Sequence, residues 1–81
     1  MSVSLRQLEY FVTVVEEGSF TAAAARLHVS QPGLSHQIQA LEQQLRGPLL
    51  ERLSRGVRLT SAGRTALPHA HASLAHVDRE R

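Results

Sequence analysis

Eighty-one residues and 8.9 kDa leave room for one small domain. Such a chain buries only about 60–65% of the surface its unfolded form exposes. With no cysteine it has neither disulfides nor thiolate-held zinc to brace a thin core, so a partner or second copy is the expected support. The lack of cysteine fits a reducing compartment. No apolar run approaches the roughly 20 residues a bilayer demands, and the polar opening at 2–7 does not read as a signal peptide.

Charge is distributed unevenly. Residues 1–45 hold Arg6 and Arg26 against Glu9, Glu16, Glu17 and Glu42, a balance of −2. Residues 46–64 hold Arg46, Arg52, Arg55, Arg58 and Arg64 against Glu51 alone, a balance of +4. In residues 65–81, Arg79 and Arg81 cancel Asp78 and Glu80, so the net +2 is a local basic patch suited to a polyanion. All nine basic residues are arginine, the side chain that grips phosphate or guanine bidentately, although coding bias explains an absence of lysine equally well.

The spacing predicts a first helix over 5–17, capped by Ser4 with Gln7 completing a capping box. Leu5, Leu8, Val12 and Val15, with Phe11 beside them, form its apolar face, and Gly18 ends it. Ser19 opens a second helix over 20–27, where four consecutive alanines favour the helix and let a neighbour approach closely. After a tight connection at His28 and Val29, Ser30 caps a third helix reaching about Leu45, with Pro32 in its first turn. Its buried stripe is expected to be Leu34, Ile38, Leu41 and Leu45.

Beyond Gly47-Pro48, two short strands near 49–53 and 57–60 around a Ser54-Arg55-Gly56 turn make a β-hairpin. Thr60 then caps a last helix running from Ser61 to near the end. Leu67, Ala70, Leu74 and Val77 repeat at 3-4-3 along it, a short coiled-coil seam expected to meet a second copy, the alternative being that it folds back on this domain's own core. Pro68 inside this helix costs about 3 kcal/mol unless the helix bends there. The fold class is therefore mainly α: three helices and a two-stranded wing over 1–60, then a linker and dimerisation helix over 61–81.

Catalysis finds no support. There is no His-Glu-x-x-His, no glycine-rich phosphate loop and no nucleophile elbow, so no enzymatic activity and no cofactor are expected. His69 and His71 point apart on a helix, and His69 and His76 lie about 10 Å from each other, so surface histidines rather than a metal site are expected.

Two short helices joined by a tight turn and followed by a hairpin describe a winged helix-turn-helix. On the third helix, Pro32, His36, Gln39 and Gln43 point away from the apolar stripe, with Gln31 and Ser35 on one flank. This amide- and hydroxyl-rich face can read base edges in a major groove, though every amphipathic helix also has a solvated polar face. Gln31 and Gln39 can each contact adenine bidentately, and Ser35 suits a phosphate or a methyl group. Pro32 and Gly33 permit close approach, while the helix start at 30–33, led by Ser30, offers N–H groups to phosphate. Arg52, Arg55 and Arg58 on the hairpin are expected to reach phosphates or the minor groove.

The string Phe11, Val14, Glu16, Gly18-Ser19-Phe20-Thr21, Ala23-Ala24, Arg26-Leu27-His28-Val29-Ser30-Gln31-Pro32, Leu34-Ser35, Gln37-Ile38, Leu41-Glu42 carries a resemblance. It continues through Leu49, Glu51-Arg52, Arg55-Gly56, Leu59-Thr60 and Ala62-Gly63. Over about residues 5–75 the chain resembles the N-terminal domain of LysR-type transcriptional regulators. The resemblance implies a bacterial cytoplasmic (nucleoid) regulator binding an interrupted palindrome in double-stranded promoter DNA. It also implies a homodimer through the last helix, room for a higher oligomer, no membrane partner, and a small-molecule co-inducer sensed only through a further C-terminal domain. The chain departs from the family pattern in three places: Arg46 precedes Gly47 where glycine usually follows the helix-ending leucine, Leu50 replaces a phenylalanine, and His36 replaces a frequent arginine. The rival from another class is a small helical adaptor that binds protein and ignores DNA.

Overall fold

A computed structural model describes the backbone of residues 3–79 and the side chains of residues 3–76. Four helices and one hairpin follow in order: α1 Leu5–Glu17, α2 Phe20–Leu27, α3 Gln31–Gln44, β1 Leu50–Arg52, β2 Val57–Leu59 and α4 Ser61–Arg79. This is a mainly α winged helix-turn-helix with a long C-terminal helix.

The helix ends sit where side-chain chemistry places them. Ser4 and Gln7 close a reciprocal capping box at the start of α1, and Gly18 ends that helix at φ 69° with its N–H on Val14. Ser19 caps α2 by accepting the Ala22 N–H, and Ser30 caps α3 by accepting that of Gly33. Thr60 accepts the Gly63 N–H at the start of α4. Between α2 and α3 the chain turns through His28, which holds a left-handed conformation at φ 59°.

The core joins Phe11 and Val14 of α1, Phe20, Ala23 and Ala24 of α2, Leu34, Ile38 and Leu41 of α3, Leu49 before the wing, and Ala70 of α4. Ala23 is fully buried, which is how the alanine run lets α2 lie close to its neighbours. Two expected core positions lie outside it. Leu5 is 46% exposed at the first turn of α1, and Leu45 is 45% exposed because it caps α3 rather than continuing it. Gln7 and Thr13 are buried instead, with their polarity satisfied: Gln7 reaches Gln37 and its own cap, and Thr13 donates to the Glu9 carbonyl.

The apolar seam of α4 is only partly enclosed by the chain's own core. Ala70 is 2% exposed within the chain's own core, and Leu67 and Leu74 pack partly buried against it. The expectation of a seam facing a second copy is therefore corrected at Ala70, which packs into the chain's own core where α4 lies against α1, while Leu67 and Leu74 keep part of their surface open. The side chain of Val77 lies outside the described residues.

The wing is a two-stranded antiparallel ribbon pairing Leu50 with Leu59, Glu51 with Arg58 and Arg52 with Val57. At its tip Gly56 takes φ 85°, and a Cβ there would come within 2.8 Å of the Gly18 carbonyl oxygen. The wing thus lies against the turn between α1 and α2 rather than projecting freely.

Candidate nucleic-acid interface

The polar face of α3 is open. Gln31, Pro32, Gly33, His36 and Gln39 are exposed, and Ser35 is half-buried. Gln31, Ser35 and Gln39 are four residues apart in turn, so they form one ridge along the helix, beside a second formed by Pro32 and His36. The opposite side supplies Leu34, Ile38 and Leu41 to the core, and this burial is what fixes the outward direction of the ridge.

The first turn of α3 is less open than its sequence suggests. Ser30 directs its hydroxyl to the Gly33 N–H at 3.0 Å, its carbonyl accepts the Leu34 N–H, and Pro32 has no N–H to offer. Among the described residues, Gln31 carries the open N–H of that turn. A Cβ on Gly33 would stand 2.9 Å from the Ser30 hydroxyl oxygen, so glycine there serves the cap.

The three wing arginines are not equivalent, and strand geometry explains why. Side chains alternate across a strand, so Arg52 shares the inward face of Leu50 while Glu51 faces outward. The Arg52 guanidinium accordingly lies 3.7 Å from the centroid of the Phe20 ring and donates to the Ser35 hydroxyl. Arg58 lies directly across from Glu51 and pairs with it at 2.9 Å, both side chains more than half exposed. Arg55 stands at the tip, exposed and without an ion-pair partner among the described residues. Of the three, Arg58 alone has its charge answered by a carboxylate. Elsewhere, Arg26 bridges Glu16 at 2.8 Å and Glu17 at 3.1 Å, which holds its guanidinium further toward the charged form and removes α2 from the basic surface.

Three contributors escaped sequence reasoning. Glu42, on the flank of α3, accepts the N–H groups of Leu49 and Leu50 at 2.7 and 3.2 Å and so ties the entry of the wing to the helix beside it. Thr21 of α2 accepts a hydrogen bond from the Gln31 amide at 2.8 Å. Phe20, buried by its own helix pattern, presents a ring face to Arg52. Each joins residues of different elements, and helical periodicity carries no signal of such contacts.

Among the described residues, no group of three or more His, Cys, Asp or Glu is placed to hold a metal ion. No helix there is long and apolar enough to cross a membrane.

Known proteins share this arrangement. The profile of a family described as bacterial regulatory helix-turn-helix protein, lysR family, matches residues 5–64. The chain is 52% identical over 77 residues to the transcriptional regulator TfdT of Cupriavidus pinatubonensis, covering 95% of this chain and 34% of that protein. It is 56% identical over 72 residues to the regulator ClcR of Pseudomonas putida, covering 89% of this chain and 24% of that one. The chain thus spans about a quarter to a third of these relatives. The crystal structure of a CbnR_DBD–DNA complex superposes with a TM-score of 0.92 at 49% identity, covering 96% of this chain and 90% of that chain. A BenM_DBD complex with catB site 1 DNA does so with a TM-score of 0.91 at 50% identity, covering 96% and 88%.

Proposed function

The chain belongs to the LysR family of bacterial helix-turn-helix regulators, and from that premise we propose that it binds double-stranded promoter DNA in a sequence-specific manner. Helix α3 enters the major groove with Gln31, Ser35 and Gln39 toward base edges, and His36 and Pro32 beside them. Ser30 and Gly33 hold the start of that helix close to the backbone. The wing lies on phosphate or in the minor groove through Arg52 and Arg55, with Arg58 a weaker contributor while Glu51 holds it. The supporting observation is the open Gln31–Ser35–Gln39 ridge, joined through the Arg52–Ser35 bond to a wing whose Arg52 and Arg55 face no carboxylate.

Residues 1–60 form the reading unit, and α4, within 61–81, links two copies on an interrupted palindrome. With Ala70 enclosed in its own chain, a second copy meets the groove between α1 and α4, where Leu5, Leu74 and Ala75 line an open surface. Half-sites then lie about one helical turn (~34 Å), or a multiple of it, apart, and coupling two weak contacts raises avidity. The bacterial cytoplasm is where such a regulator meets its promoter, and a small co-inducer acts through a part of the regulator outside these residues.

The test is a binding series on a selected site and a random duplex across salt. Gln31→Ala is expected to narrow the gap between them, and Arg55→Ala to weaken both equally. If both variants lower the two duplexes by the same factor, the assigned roles are wrong; if the chain binds neither duplex at low salt, so is the function.

A further inference from the structure

Thr21 stands on the first turn of α2 and Gln31 is the first residue of α3, yet their side chains meet: the Gln31 amide nitrogen donates to the Thr21 hydroxyl oxygen at 2.8 Å. Both residues are exposed, so the bond lies on the surface of the proposed DNA interface and not beneath it. We infer that Thr21 is a specificity-positioning residue, whose hydroxyl holds the Gln31 amide in the orientation that reads an adenine edge. This rests on the DNA-binding reading above and adds to it a residue of the neighbouring helix.

The argument is one of donor and acceptor arithmetic. A glutamine amide carries two N–H donors and an oxygen acceptor. Adenine in the major groove presents N7 as acceptor and its N6 amino group as donor, so bidentate reading needs one N–H and the oxygen side by side. The Thr21 bond occupies one N–H and leaves that pair free. A solvent-exposed glutamine is otherwise free to rotate about three bonds, and much of its contact with a base goes into stopping that rotation. Thr21 is suited to act as the stop because branching at Cβ restricts its own rotamer. Its helix is also firmly set against α3: Ala23 and Ala24 are buried, and the left-handed turn at His28 is closed by the Val29 N–H on the Ala24 carbonyl.

The experiment uses the whole chain and two duplexes: the site it selects from a randomised 30-base-pair pool (about three helical turns) and a random duplex of the same length. Fluorescence anisotropy across salt reads both affinities. Thr21→Val keeps the shape and removes the hydroxyl; it is expected to weaken the selected site roughly 3–10-fold while leaving the random duplex and the salt slope unchanged. Thr21→Ser retains the hydroxyl and should keep most of the affinity. In a Gln31→Ala background Thr21→Val should have no further effect, and both single variants should lose discrimination at the same A·T pair. Equal weakening of both duplexes would make Thr21 a phosphate contact and overturn the inference, as would an undiminished effect of Thr21→Val without Gln31. A parent chain that binds neither duplex would instead overturn the DNA-binding reading itself.

Discussion

The carboxylate of Glu42 accepts the backbone N–H of Leu49 at 2.7 Å, and the same oxygen takes that of Leu50 at 3.2 Å. The bond ties the proposed recognition helix to the first residues of the wing across the Arg46-Gly47-Pro48 corner. Helix α3 and the wing are thereby held in one relative position. Because Leu49 is 2% exposed, its N–H has little access to water as a substitute partner.

Glu42→Ala leaves two amides without their charged acceptor and is expected to lower unfolding free energy by about 1–3 kcal/mol. Glu42→Gln, which keeps an oxygen acceptor, should lose less. Denaturant unfolding measures the difference, and amide exchange at Leu49 and Leu50 should accelerate in the alanine variant. Unchanged exchange at both would show that the bond does not hold the wing.

Arg46 ends α3 in the left-handed conformation at φ 64°, with its own N–H on Gln43 and the Gly47 N–H on Glu42. That is the bond pattern of a Schellman cap, with arginine where the geometry favours glycine. Arg46→Gly is expected to stabilise the domain by roughly 0.5–1 kcal/mol, the relief of left-handed strain outweighing the added chain entropy. The midpoint of urea unfolding should rise with its slope unchanged; a lower midpoint would mean the arginine side chain contributes more than its backbone costs.

Gly63 and Gly47 should respond in opposite ways to a methyl group. A Cβ on Gly63 would stand 2.1 Å from the Leu49 carbonyl oxygen, so α4 would have to retreat from the wing. Gly63→Ala should cost about 1–3 kcal/mol or more. A Cβ on Gly47 would meet no atom within 4 Å, and the backbone there has no positive φ. Gly47→Ala should be neutral or stabilising by about 0.4–1 kcal/mol. Thermal melts of the two variants test the contrast, and similar melting temperatures would contradict it.

Glu51 restrains Arg58 across the strands, and both side chains are exposed, so the pair contributes little to stability. Glu51→Gln frees that guanidinium and removes a negative charge from the wing. Affinity for selected and random duplexes alike should rise, and the slope of log affinity against log salt should steepen by up to about 0.9. Thermal stability should change by less than about 0.5 kcal/mol. An unaltered salt slope would place Arg58 away from the phosphates.

Helix boundaries were legible in the chain because their causes are local. Ser4, Ser19, Ser30 and Thr60 each accept an N–H from within three residues, and Gly18 turns the backbone by itself. The exposure of the Gln31 and Gln39 ridge was legible as well, since burying Leu34, Ile38 and Leu41 leaves that side outward. Legibility ended at Leu5 and Leu45, whose spacing extends the apolar stripes past the point where the helices have a neighbour.

Linear order alone thus determined the elements, their caps and the outward polar face of α3, all set by interactions spanning a turn of helix or a step of strand. Tertiary structure decided which partners those side chains found: Phe20 under Arg52, Thr21 beside Gln31, Glu42 at the wing, and Ala70 inside its own core rather than open to a second copy. The physical reason is that such contacts depend on how elements cross in space, and periodicity along one element carries no information about that crossing.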